Sequence, residues 1–170
     1  MYTTGVLMSS QGDWKDLKLV VTTIVNKAVE LKNRRTTEAS AQVSYCAIFC
    51  QSKEEYQSFL RSVSARGRLA DDTPTGPVFV VAGIQTDGGE CRVVKIRKPD
   101  PTRPERGDAD FAAQDYEGLK LTSVDAEGFK LISRPDFEMI ELMDPAYDVR
   151  VYFSNPPVEQ HRGIREALAG

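Results

Sequence analysis

The apolar positions of this chain change period several times, and each change marks an element. Between Asp13 and Arg34, Trp14, Leu17, Val21, Ile24, Ala28 and Leu31 recur at helical spacing. The spacing predicts an amphipathic helix with Asp13 as its cap and Lys27, Lys32, Arg34 and Arg35 toward its negative end. The β-branched run Val20–Val25 opposes that reading, because such side chains are stiff in a helix. Residues 36–41 are a polar connection. Residues 43–50, VSYCAIFC, are aromatic and β-branched, which predicts a strand. Ser52 followed by Glu55 is a capping-box pattern. It opens a helix with Tyr56, Phe59, Leu60 and Val63 on one face and a stop at Gly67. Residues 71–77, DDTPTGP, read as a loop. Strands follow over 78–82 and 93–98, joined by the hairpin signal QTDGGE. In the second of these, Val94 and Ile96 face one way and Lys95 and Arg97 the other.

Residues 98–106, KPDPTRPER, hold three prolines and read as a semi-rigid surface connection. Beyond it the pattern starts again. Residues 108–113 are a strand with Asp108 and Asp110 on one face. Asp115 caps a short helix containing Tyr116, Leu119 and Lys120. Strands over 129–133, 137–142 and 149–153 close the series, separated by Pro135-Asp136 and Asp144-Pro145. Asn155-Pro156-Pro157 ends the last strand. The tail to Gly170 is polar and is expected to be loosely held, with a short helix over 163–168.

The first half, 43–98, thus gives a strand, a helix and two or three strands, and the second, 108–154, a strand, a helix and three strands, which reads as a repeated β-α-β-β-β unit around the linker 99–107. This repeat resembles the vicinal oxygen chelate superfamily of glyoxalases, bleomycin-resistance proteins and extradiol dioxygenases. The resemblance implies an α+β fold in which the two units form one cup-shaped mixed sheet. Residues 1–42 would then be an N-terminal helical extension and 155–170 a C-terminal tail. It also implies a test. In catalytic members the first and last strands of each unit supply His and Glu to a divalent metal. The matching positions here are Tyr45, Arg97, Asp108, and Arg150 or Tyr152. Only Asp108 suits a metal, since arginine has no free lone pair to give. No metal and no cofactor are therefore expected.

Alternation along the strands directs Tyr45, Lys95, Arg97, Asp108, Asp110, Arg150 and Tyr152 into the cup, where polar groups must be paired or wet. Two uses follow. Arg97 and Arg150 pair with Asp108 and Asp110 and simply fill the space; or Arg97, Arg150 and Lys95 receive a small anionic molecule, a carboxylate or phosphate, which guanidinium matches bidentately. Two further readings stay open. One is a metal-dependent lyase, isomerase or dioxygenase of the same fold using Asp108. The other is a protein-interaction module. His161, the only histidine, reads as a solvated side chain. Without a second histidine most hydrolase templates are excluded. Glu138 and Glu141 fall on opposite faces of one strand and cannot act together.

Composition sets the outer limits. Of 170 residues 41% are hydrophobic and 28% charged, and the formal charge is −3, so no bulk attraction to nucleic acid or anionic lipid is expected. Arg92, Lys95, Arg97, Lys98, Arg103 and Arg106 are interrupted by acids and lack interleaved aromatics, which reads as a solvated linker rather than a nucleic-acid surface. Residues 1–12 lack the pattern of a secretory signal. The apolar run 17–25 is too short to span a membrane. Cys46, Cys50 and Cys91 are odd in number and badly spaced for bridging, so free thiols in a reducing, cytoplasmic setting are expected. Members of the superfamily it resembles often dimerise, so a homodimer is among the expected partners.

Overall fold

The computed structural model describes residues 10–170, with side chains from Asp13. The reading of residues 1–12 lies largely outside the described residues. Helix α1, Ser10–Arg35, is followed by β1, Gln42–Phe49; α2, Lys53–Ser64; β2, Arg68–Thr73; β3, Gly76–Thr86; and β4, Gly89–Arg97. The second unit is β5, Gly107–Ala112; α3, Tyr116–Ser123; β6, Phe129–Ser133; β7, Glu138–Leu142; and β8, Val149–Asn155. A single 3₁₀ turn, Val158–Gln160, leads to α4, Arg162–Ala169.

All eight strands join one mixed sheet in the order β2-β3-β4-β1-β5-β8-β7-β6. Within each unit the first strand runs parallel to the last, β1 to β4 and β5 to β8. The units meet where β1 lies antiparallel to β5. One face of the sheet is the core. Cys46, Ile48, Val94, Ile96, Ala109, Phe111, Val151 and Phe153 are all buried there against the helices.

Helix α1 begins before Asp13, so that residue lies inside it and is not its cap. The β-branched run holds helix because Val21, Ile24 and Val25 are fully buried against the sheet. Tertiary burial outweighs a weak local preference. Lys32 is also buried, at 1% exposure. Its ammonium donates to the carbonyls of Glu38 and Ala39 at 2.7 and 3.1 Å and lies 5.3 Å from the Phe111 ring centroid. Burial pushes its pKa down. The Glu38 carboxylate accepts N–H from Gln114 and Asp115, both at 2.8 Å. The connection after α1 is therefore bonded to the start of α3 in the other half.

The Ser52 hydroxyl accepts the Glu55 N–H at 3.1 Å. The Glu55 carboxylate answers one residue earlier than the box pattern predicts, taking the Gln51 N–H at 3.0 Å. Its other partner is Arg106, at 2.6 and 3.2 Å, which fastens the end of the linker to α2. Ser52→Ala is expected to lower the unfolding free energy by about 1 kcal/mol, measured by urea denaturation.

Two further expectations fail. Residues 71–77 are not a loop: β2 runs to Thr73 and β3 begins at Gly76. Strand β2 lies at the sheet edge, exposed on both faces, so its sequence carries no alternation to reveal it. The tail is not loose. Val158 and Ile164 are buried with Val78, Val80 and Val93 in a second small core on the cup side of the sheet. Arg68 donates to the carbonyls of Ala167 and Gly170, both at 2.6 Å. The helix expected over 163–168 forms as α4. The hairpin turn falls as expected between β3 and β4, and Gly89 there has φ +97°, a conformation that favours glycine. All three cysteines are free and buried, and burial pushes the Cys50 and Cys91 thiols up to about 12. No helix among the described residues is long and apolar enough to cross a membrane.

Candidate functional site

The face of the sheet turned away from α1 bounds a cavity of about 470 Å³. Strand register lays out its floor. One row across the sheet runs Val78, Lys95, Ala47, Asp108, Arg150. The next includes Tyr45 beside Asp110, then Tyr152 and Glu141. Small Ala47 thus sits between the Lys95 ammonium on β4 and the Asp108 carboxyl on β5. Six of the seven residues that alternation directs into the cup line this cavity: Tyr45, Lys95, Arg97, Asp108, Asp110 and Tyr152.

Their bonding differs from a simple set of arginine–aspartate pairs. Arg97 reaches Asp100 at 3.6 Å, and its Nε has no partner. Lys95 donates to the Thr75 hydroxyl at 2.6 Å. Asp110 accepts both the hydroxyl and the N–H of Ser154. Asp108 is 7% exposed and its Oδ1 has no partner. Arg150 is the exception among the seven. It lies beside the cavity rather than in its wall, paired with Glu105 at 3.0 Å and Glu141 at 3.6 Å. The convergence of Arg97 and Arg150 on one anion is therefore not what the structure shows. Two glutamates, one from the linker and one from β7, already take the Arg150 guanidinium.

The electrostatics follow from burial. Desolvation, then repulsion from Asp110, pushes Asp108 up from an ordinary 3.8 to about 7. Desolvation also takes Asp110 to about 7, against the Ser154 hydrogen bonds that pull it down. Burial and then the neighbouring Arg97 charge lower Lys95. Tyr45 and Tyr152 are both pushed up, mainly by burial.

No family model and no curated protein matches the chain. Solved structures do. One, described as "Structural Genomics, Protein EC4020", matches with a TM-score of 0.63 at 14% identity, covering 86% of this chain and 90% of that one. Another is a glyoxalase/bleomycin resistance protein/dioxygenase superfamily member from Vibrio splendidus 12B01, at TM-score 0.40 and 14% identity, covering 67% of this chain and 97% of that one. Likeness at such identity concerns the fold alone. The paired β-α-β-β-β units, joined through β1 and β5 in one curled sheet, decide which fold it is. It is the vicinal oxygen chelate fold.

Within that fold, Tyr45, Arg97, Asp108 and Tyr152 lie on β1, β4, β5 and β8, the first and last strands of each unit. Among the described residues no three His, Cys, Asp or Glu side chains are grouped to hold a metal ion. Several cavity residues escaped the sequence reading. His161 is half-buried in the cavity wall rather than solvated. Its ring packs 4.8 Å from that of Phe137, and its Nε2 donates to the Pro156 carbonyl at 2.9 Å. The return of the tail over the cup places it there. The spacing of Val158, Ile164 and Leu168 was the available signal. Glu141 accepts the Tyr152 hydroxyl at 2.6 Å, and alternation opposite Tyr152 could have found it. Glu138 faces the other way, bonded to Tyr116 and Lys120. Arg103 comes from the linker, and its guanidinium lies 5.7 Å from the Phe49 ring centroid, as does that of Arg97.

Proposed function

We propose that the chain binds a small carboxylate-bearing molecule in this cup, without a resident metal. The observation that supports the reading most is an imbalance of charge. Lys95, Arg97, Arg103 and Arg134 line the cavity together with Asp71, Asp108, Asp110 and Glu141. Formally these cancel, but Asp108 and Asp110 are pushed up to about 7 and hold protons below that pH. Among the described residues Lys95, Arg103 and Arg134 form no ion pair. Buried Lys95 and half-buried Arg103, cations without an ion-pair partner, favour an anion, and charge-assisted hydrogen bonds would hold it.

The donors suit a metal poorly. Arg97 occupies a position that carries a ligand in metal-binding members of the superfamily, and guanidinium offers no lone pair. Burial keeps the Tyr45 phenol protonated and Asp108 near neutrality. Asp108 suits a different task. Its protonated carboxyl lines the cavity and can donate a hydrogen bond to a bound carboxylate.

Isothermal titration calorimetry at pH 6 with acetate, benzoate and inorganic phosphate tests the reading. A carboxylate is expected to bind with millimolar affinity or better. Arg97→Gln is expected to weaken it about tenfold or more, the loss of one charge-assisted hydrogen bond. If neither acetate nor benzoate binds the wild-type protein, or if Arg97→Gln and Lys95→Met both bind like wild type, the reading fails.

A further inference from the structure

The cavity wall is chemically lopsided. Lys95 and Arg97 sit on β4. On the other side of the cup, beyond β1, β5 and β8, Ile132 and Met139 are paired in register on β6 and β7. Phe137 adjoins them, just ahead of β7. All three apolar side chains line the cavity and are half-buried. They belong to neither hydrophobic cluster of the fold. By contrast Val78, Val80 and Val93, also on the cup side, are already covered by Val158 and Ile164. The unfilled apolar capacity of the cavity is therefore concentrated on the β6–β7 side.

From this arrangement we infer that the ligand is an amphipathic monocarboxylate, whose acid group lies toward Lys95 and Arg97 and whose apolar tail lies on Ile132, Phe137 and Met139. This rests on the reading of the cup as an anion site and narrows it. Phosphate, or a small dicarboxylate such as succinate, would satisfy the cations and leave the apolar wall wet. A fatty or aryl-substituted acid satisfies both. A volume of about 470 Å³ is in the range of pockets that enclose small organic ligands. Arg134 and Glu141 also face the cavity from β6–β7 and its rim. Glu141 is held by Tyr152 and Arg150, and Arg134 is exposed, so neither needs to desolvate for a tail to settle.

A homologous series tests this. Titration of the intact protein with acetate, butanoate and hexanoate is expected to show affinity rising about fourfold per added methylene, the value of burying one such group. Phe137→Ser and Met139→Asn are expected to flatten that rise while leaving acetate binding within about twofold of wild type. Circular dichroism melting shows whether each variant is folded, and having two keeps the test available if one is not. If acetate binds but affinity does not change with chain length, the apolar-tail inference is overturned and the anion reading stands. A rise that survives both folded variants overturns it as well, since the tail then lies elsewhere. If no acid of the series binds, the anion reading itself falls, and this inference with it.

Discussion

Phe111→Ala is expected to lower the unfolding free energy by about 3–5 kcal/mol, read from urea or guanidinium denaturation. Phe111 is fully buried on β5, at the seam between the two units. Its ring lies 6.1 Å from that of Phe153 on β8 and beneath the Lys32 ammonium of α1. Truncation removes a large apolar surface, leaves a hole that rigid sheet and helix cannot collapse, and takes the π face from a buried cation. The same truncation at Phe137, whose stacking partner is His161 on the cup side, is expected to cost only about 1 kcal/mol. Similar losses at the two positions would mean that the cup wall, and not only the helix-packed face, holds the sheet together.

The second large effect is on pH. Asp108 and Asp110 rise from an ordinary 3.8 to about 7 in the folded protein. Between about pH 4 and 7 the native state therefore holds protons that the unfolded chain has released. Stability falls as pH rises through that window and levels off above it. This is opposite in sign to a salt-bridged carboxylate. The fall is on the order of a few kcal/mol in total, with the two groups sharing it because each ionisation opposes the other. Lys95, Arg97 and Arg103 reduce it at Asp108, and the Ser154 hydrogen bonds reduce it at Asp110. Denaturation midpoints at pH 4.5, 6 and 8 would show it, and Asp108→Asn should flatten the profile. A protein equally stable at pH 4.5 and 8, or more stable at pH 8, would contradict the protonated pair.

The sheet was legible where strands are buried on one face and alternate, as in β4 and β8. Lys95 and Arg97 part there from Val94 and Ile96, and Arg150 and Tyr152 from Val151 and Phe153. That alternation directs six residues to the face that bounds the cavity without any knowledge of the curl. It could not decide which charges meet. Arg150 is two strands from β1 and five residues from the start of the tail, and whether it faced Asp108 or Glu105 depended on where the linker crosses. Linker path is set by Arg106 with Glu55 and by Arg103 over Phe49, contacts between segments far apart in sequence. Strand β2 was missed because an exposed edge strand has no buried face to impose a period. The tail was misread for a related reason. Its few apolar residues look too sparse for a core until the half-filled cup supplies the other side.

A chain with only one β-α-β-β-β unit would leave β1 with a bare edge and could close its cup only against an identical copy. Symmetry would then oblige both ends of the hollow to carry the same chemistry. Here β5 is supplied by the same polypeptide, so the ends are free to diverge, and they have. Basic groups on β4 come from the first unit, while greasy ones on β6 and β7 come from the second. On the proposed reading, covalent fusion is what gives the two ends of the hollow their different partners, one for an acid and one for an apolar chain.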